Sequence, residues 1–205
     1  MGTGTNAPIG VIDEISGQAS ITRVDGSTDT LQIGSPVYQG DVVETGAGAA
    51  VNIVFTDDSS FAISANTNLE IDEYVFDPVT EGGVQNFSLH QGVFVYTSGL
   101  IGREDPDDVR IDTPIGSIGI RGTIIAGDLN SGEITVVEGA IVLREPSGSE
   151  MTLAGQYETA RFSGNNTGIS NLGVKTAEQV IQTFSGIESV APTFFSSVRD
   201  SVGED

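Results

Sequence analysis

Short segments in which apolar and polar residues alternate follow one another through most of the chain. In residues 69–72, for example, the apolar side chains fall at positions 69 and 71 and the acidic ones at positions 70 and 72. This period of two is typical of strands with one buried face. Turn-forming residues separate the segments, as at Asp25 and Gly26. About a dozen such segments, spaced roughly 8–12 residues apart, predict an all-β sandwich, barrel or solenoid over residues 9–162.

The alternation stops at the two ends of the chain. Residues 1–8 are predicted to form a flexible lead-in, and the polar residues and glycines of 163–175 a linker. Residues 176–205 are predicted to form a helical tail, because Thr176 suits an N-cap and the apolar positions 177, 180, 181, 184 and 187 have helical spacing. A second short helix is predicted over residues 193–202.

This tail has two alternative roles. It either docks on the chain's own β domain, or forms a helical arm that packs on a neighbouring subunit. The candidate interface residues are Val180, Phe184, Ile187, Phe194 and Phe195.

Two hairpins at opposite ends of the predicted β domain resemble each other. Residues 17–34 align with residues 139–155, so that Gly17 corresponds to Gly139 and Arg23 to Arg144. Two copies do not make a repeat array. They indicate a β domain that opens and closes with similar hairpins.

The net charge narrows the choice of partners. The 205 residues include 29 acidic and 8 basic residues, a formal charge of −21. A chain this acidic repels nucleic acid and anionic lipid surfaces, so neither is an expected partner. The excess charge favours solubility, and it also attracts Ca²⁺ or a basic protein. Cysteine is absent, which excludes disulfides and cysteine-based zinc sites.

The sequence favours export by a route other than the general secretory signal. The first residues lack both the basic region and the apolar region of a secretory signal peptide. The sequence has no run of 18 consecutive apolar residues, so no membrane-spanning helix is predicted. We therefore expect an extracellular or cell-surface protein without such a signal, with a periplasmic location as the alternative.

Candidate catalytic groups are sparse. The single histidine, His90, lies in an alternating strand, and a structural role is the simpler reading. Paired carboxylates such as Glu70 and Asp72 admit a polysaccharide-acting enzyme as a remote alternative. The acidic loop after residue 102 is predicted to be solvated. The alternative hypothesis is that its carboxylate oxygens bind Ca²⁺. Its candidate metal ligands are Glu104, Asp105, Asp107 and Asp108. No other cofactor is expected.

A single charge interrupts the apolar segment of residues 113–129, TPIGSIGIRGTIIAGDL. This charge is Arg121. Arg121 has two possible roles. It either takes part directly in a ligand site, or its guanidinium is structural and ties strands to carbonyl groups or to a buried carboxylate.

Three segments resemble the FecR domain of bacterial cell-surface signalling and secreted proteins. Residues 40–71 resemble its Gly-Asp start and the strand, Asp-rich turn and strand that follow. Residues 109–127 resemble its Thr-Pro and Arg-Gly-Thr core, and residues 132–144 its Glu-Gly hairpin. The resemblance covers roughly residues 9–162. It implies an all-β, non-enzymatic domain of the β-solenoid or sandwich type that acts through protein contacts.

The resemblance also assigns residue roles. It implies fold-defining roles for Arg121, Gly122, Thr123, Glu138 and Gly139, with Glu138 as a partner of Arg121 on a neighbouring strand. Removing a buried, paired Arg121 would then cost about 3–5 kcal/mol. At Ile124 and Ile125 the chain departs from the family, which usually has an aromatic residue there.

From this sequence we do not expect the anti-sigma segment, transmembrane helix and C-terminal signalling region that the iron-signalling members carry. Its opening is more similar to the FecR domains of large acidic, signal-peptide-free surface proteins of proteobacteria.

The functional prediction follows from these points. We expect a non-catalytic extracellular or cell-surface module that binds protein, including copies of itself through strand edges or the C-terminal helix. The alternative is a periplasmic FecR-type sensor that transduces a signal. Because the charge of −21 opposes assembly at low salt, self-association is expected to grow with Ca²⁺ or ionic strength.

Overall fold

A computed structural model describes residues 7–102, 107–164 and 168–201 of the chain. Sixteen strands and two α-helices account for most of these residues. The strands are β1 Gly10–Ser16, β2 Ala19–Thr22, β3 Thr28–Thr30, β4 Pro36–Val37, β5 Val42–Thr45, β6 Ala50–Phe55, β7 Ser60–Ile63, β8 Asn68–Asp77, β9 Gly82–Gln91, β10 Val93–Thr97, β11 Val109–Thr113, β12 Gly116–Asp128, β13 Glu133–Arg144, β14 Glu150–Leu153, β15 Glu158–Phe162 and β16 Ile169–Val174. The helices are α1 Ala177–Phe184 and α2 Pro192–Asp200, with a 3₁₀ turn at Ser185–Ile187 between them. The predicted all-β class with a short helical tail is confirmed.

The strands form one curled sheet in the order β3-β2-β5-β8-β9-β11-β12-β10-β7-β6-β1-β4. Its strand pairs are antiparallel except for β9 and β11, which are parallel. The two longest strands hold its parts together. The first half of β12 pairs with β11 and its second half with β10, while β13 runs along the opposite edge of β12. β13 in turn pairs with β15 and β14, and β16 extends this branch.

The concave side of the sheet encloses the main core. Its centre is a cluster of aromatic rings whose centroids lie 5.1–6.0 Å apart. Contacts of this kind add to the stabilisation that comes from burying the rings. The cluster consists of Phe55, Phe61, Phe87, Phe94 and Tyr96. Alternate residues of β6, β7, β9 and β10 supply these rings, as the period of two in the sequence predicts.

The helical tail packs on the outer side of the same sheet. Three alanines, Ala50, Ala62 and Ala126, form part of a second buried cluster there. Small side chains on neighbouring strands let the helices approach the sheet closely. All five candidate interface residues, Val180, Phe184, Ile187, Phe194 and Phe195, are at most 5% exposed in this cluster. The docked alternative is therefore the one that the structure shows, and the arm on a neighbouring subunit is not.

Part of the predicted linker is a strand, whereas the helical tail starts where the sequence predicted. β16 occupies part of the predicted linker of residues 163–175 and continues the sheet through its pairing with β15. α1 starts after Thr176, whose hydroxyl accepts a hydrogen bond from the Gln179 N–H in a capping box. It ends at Phe184, since the chain turns into a 3₁₀ segment at Gly186. Pro192 opens α2, where its missing N–H is tolerated in the first turn.

Candidate interaction surfaces

The Arg-Gly-Thr core lies at a β-bulge between the two long strands. Arg121 is opposite Ala140 and Ile124 is opposite Glu138, so Gly122 and Thr123 together face Gly139 alone. The Thr123 hydroxyl lies 2.7 Å from the carbonyl oxygen of Arg121 and 2.8 Å from that of Ala140, and it accepts the Ala140 N–H at 3.2 Å. Thr123 thereby replaces ladder hydrogen bonds that the bulge interrupts.

The same bulge is tied to the loop after β10. The Ser98 N–H donates to the Thr123 carbonyl at 2.9 Å, and the Thr123 N–H donates to the Ser98 hydroxyl at 3.0 Å. The Gly122 N–H donates to the carbonyl of Gly102 at 2.8 Å. These contacts explain why a Gly-Thr pair follows Arg121, and fold-defining roles for Gly122, Thr123 and Gly139 stay a prediction that mutation can test.

The predicted environment of Arg121 is wrong. Its side chain is exposed, as is that of Glu138. Among the described residues Arg121 has no ion pair, whereas every other described arginine and the single lysine has one. The reason is the alternation along β12: Ile120 points into the core, so Arg121 points out. Within the described part of the chain, the guanidinium therefore forms no ion pair that ties strands together.

A buried polar network lies beneath the β6–β7 turn, and sequence reasoning missed it. Asp57 is fully buried. Its Oδ1 accepts hydrogen bonds from the Ser59 hydroxyl at 2.6 Å and the Tyr74 hydroxyl at 3.1 Å, and its Oδ2 accepts the Ile101 N–H at 3.3 Å. The Leu100 N–H donates to the Asp57 carbonyl at 2.8 Å. Through one side chain, the network locks the turn to β8 and to the loop after β10.

The network continues into the aromatic core. The Tyr96 hydroxyl donates to Gln85 Oε1 at 2.6 Å, and Gln85 Nε2 donates to the Ser59 hydroxyl at 3.0 Å. Burial raises the pKa of Tyr74 to about 12, and the neighbouring Asp57 charge adds to the effect. Burial and the same charge raise the pKa of Tyr96 well above its ordinary value.

Both tyrosines are therefore expected to resist ionisation at alkaline pH. In the unfolded chain these hydroxyls ionise near pH 10, whereas in the folded protein they ionise only at a higher pH. Their contribution to the free energy of unfolding is therefore complete below about pH 10, and it declines as the pH rises toward 12. An ultraviolet titration of tyrosinate absorbance should show at most a small contribution from either residue in the native protein at about pH 11. At that pH, Tyr74→Phe and Tyr96→Phe variants should have nearly the absorbance of the parent protein. Ionisation of all four tyrosines while the circular dichroism is still native would contradict the assignment.

A second buried acid anchors the start of the β domain. Arg23 Nη1 donates to Asp41 Oδ2 at 2.5 Å, and the Tyr38 N–H donates to the same oxygen at 2.7 Å. Burial raises the pKa of Asp41, and these hydrogen bonds oppose that rise. Arg144, its counterpart in the second hairpin, pairs with Asp107 and Glu150 at the surface. In both hairpins the arginine fixes the end of a strand.

The remaining carboxylate candidates do not converge on a centre among the described residues. Glu104 and Asp105 lie outside the described residues. Asp107 is engaged by Arg144 at 3.1 Å, and the carbonyl of Asp108 accepts the Gln85 N–H at 2.8 Å. No group of three or more potential metal ligands occurs in the described part of the chain. Asp72 is exposed, Glu70 is half-buried, and His90 is an exposed residue of β9.

One exposed strand edge is unusual for so acidic a chain. β16 pairs only with β15 among the described strands, and residues 163–174 carry no charge. Leu172 is 45% and Val174 is 70% exposed. Other peripheral strands carry the features that usually block edge pairing: β3 is three residues long with an Asp, β4 begins with a proline, and β14 begins with a glutamate. β16 has a bulge at Leu172, which limits its flat length.

A groove of about 360 Å³ runs between the outer face of the sheet and the start of α2. We call it the acidic groove, because three exposed carboxylates stand along it: Asp13, Glu14 and Asp58. Apolar side chains line its floor, namely Val54, Ala62, Val95 and Ile124. Pro192 and Phe194 border it on the side of the helix.

Comparison with known proteins gives a match to one family model and a similar fold. The sequence model of the family described as FecR protein matches residues 41–142. A crystal structure of a protein described as an anti-sigma factor from Parabacteroides distasonis superposes with a TM-score of 0.52 at 13% identity, over 69% of this chain and 64% of that one. A second structure with the same description matches equally well over 63% of its length. A structure described as a cell surface anchoring domain matches 31% of this chain and 84% of its own at 28% identity, with a TM-score of 0.31.

A search of curated proteins found no match. No helix among the described residues is long and apolar enough to cross a membrane.

Proposed function

Because the chain carries a FecR domain over residues 41–142, we propose that it is a non-catalytic module of the cell envelope that works by binding proteins, including further copies of itself. The family match supports a regulatory or structural role rather than catalysis. The single structural observation that carries the self-assembly part is the uncharged edge of β16.

An open strand edge favours addition of a strand from another chain. Its unpaired backbone N–H and carbonyl groups supply hydrogen bonds for any incoming strand. Over most of the surface a second copy meets the repulsion of a net charge of −21. Beside β16 the excess negative charge is locally offset, because two cations, Arg161 and Lys175, pair with the single carboxylate of Glu133. Two copies therefore approach each other there with the least repulsion.

Light scattering after size-exclusion chromatography tests this proposal. We expect association that rises with protein concentration and with salt or millimolar Ca²⁺. The bulge at Leu172 keeps the pairing weak, so the dimer should form at micromolar rather than nanomolar concentrations. Leu172→Lys should reduce association at least about tenfold, since it places a charge in the edge.

Val79→Lys is the matched control. Val79 is 90% exposed in the turn after β8, so this variant changes the net charge equally and leaves the β16 edge intact. A strict monomer under every condition would contradict self-assembly and leave a module for a foreign partner. Equal effects of both lysines would show that net charge, and not the edge, controls association.

A second candidate is a periplasmic sensor that transduces a signal. The FecR match supports it as well, and the described fold is shared with a protein described as an anti-sigma factor. Deletion of the gene should then change a sigma-factor-dependent reporter in the native host. An unchanged reporter, together with cleavage of the protein by protease added to intact cells, would favour the surface module.

A further inference from the structure

We propose that the acidic groove binds a basic segment of a foreign protein, with a lysine or arginine side chain lying along its floor. The inference rests on the proposed protein-binding function and specifies the chemistry of the partner at a surface distinct from β16.

The shape and chemistry of the groove fit a long basic side chain. Lysine and arginine combine an aliphatic stem with a terminal charge, and such residues commonly bury the stem on apolar surface. Val54 and Ile124, the half-buried side chains of the floor, offer that surface. The carboxylates of Asp13, Glu14 and Asp58 stand beside it, and none of them forms an ion pair with a described residue.

The helix that borders the groove offers a second kind of contact. Ala191 precedes α2 and provides no side-chain cap. In the first turn the N–H groups of Thr193 and Phe194 therefore lack a capping side chain and are suited to the carbonyl oxygens of a bound peptide. The groove thus combines acceptors for a cationic side chain with donors for a peptide backbone.

A second copy of this chain is a poor occupant of the groove. The chain has only 8 basic residues. Among the described residues, Arg121 alone is free of an ion pair, and it lies in the middle of a strand rather than on a projecting segment. A partner with unpaired basic residues therefore matches the groove better than the chain itself does.

Peptide binding to the full chain tests the inference. The probe is a fluorescently labelled peptide of alternating leucine and lysine, and its counterpart has glutamine at each lysine. We expect the lysine peptide to bind at least about tenfold more tightly than the glutamine peptide. In two-dimensional NMR spectra of the 21.3 kDa protein, the amide shifts should concentrate at Val54, Ala62, Val95 and Ile124.

Matched charge variants separate the groove from the general negative field. The triple variant Asp13→Asn, Glu14→Gln and Asp58→Asn should weaken binding of the lysine peptide about tenfold. The control triple Asp72→Asn, Glu73→Gln and Glu81→Gln removes the same charge from exposed positions of β8 and the turn after it, and it should weaken binding less than about twofold.

Three outcomes would overturn the inference: no binding, shifts centred elsewhere, or equal loss in the two triples. None of these outcomes would contradict the proposed self-association, which the β16 variants test separately.

Discussion

Asp57→Asn is expected to lower the free energy of unfolding by about 2–4 kcal/mol. The substitution keeps the size of the side chain but places an amide where one carboxylate oxygen stood. In the parent protein the Ile101 N–H and the Ser59 and Tyr74 hydroxyls all donate to the Asp57 carboxylate. Whichever way the asparagine amide is turned, its NH₂ group replaces one of these acceptor oxygens and faces a donor. Because the site is fully buried, water cannot compensate the lost bond. Chemical denaturation monitored by circular dichroism measures the change.

The neighbouring residue provides the control. Asp58 is exposed in the same turn with a φ of 65°, a conformation that asparagine tolerates well. Asp58→Asn should therefore change the free energy of unfolding by less than about 0.5 kcal/mol. Similar effects at both positions would mean that the network around Asp57 contributes no special stability.

The contrast between these two residues also shows where sequence reasoning stops. Both appear in the sequence as one polar turn, Asp-Asp-Ser, between two strands. Asp57 is buried where residues 98–101, more than 40 positions later in the chain, cross over the turn. A Cβ on Gly99 would lie 2.1 Å from the Asp57 carbonyl oxygen, which shows how closely the two segments pass. No local pattern carries that information.

Local patterns predicted well those features that depend on near neighbours. The alternation in β6 and β9 predicted strands, and Thr176 with the helical spacing after it predicted the start of α1. β16 was predicted to belong to a linker because asparagine, serine and glycine dominate residues 163–173, although three of the six residues of the strand itself are apolar. Arg121 was placed in the core because its neighbours are apolar, yet on a strand only alternate residues share a face.

The bulge that follows Arg121 leads to the second large effect. Gly139→Ala is expected to destabilise the protein by about 2–6 kcal/mol. Gly139 has a φ of 85°, and holding a residue other than glycine there costs about 1–3 kcal/mol. A Cβ would also lie 2.3 Å from the Gly122 carbonyl oxygen and 2.8 Å from the Thr123 hydroxyl, and relieving such overpacking costs about 1–3 kcal/mol more. Thermal or denaturant unfolding gives the difference directly.

Gly148→Ala measures the conformational part of this effect alone, so the difference between the two glycine variants gives the steric part. Gly148 has a similar φ of 92°, but a Cβ there would meet no atom within 4 Å, so only the conformational cost applies. Equal losses in the two glycine variants would show that the close approach at the bulge adds no strain, and that Gly139 is needed for its backbone conformation alone.

Arg121→Ala, by contrast, should change the free energy of unfolding by less than about 0.5 kcal/mol, because the exposed guanidinium has no partner among the described residues. A loss of about 3–5 kcal/mol in Arg121→Ala would restore the structural role that the sequence suggested.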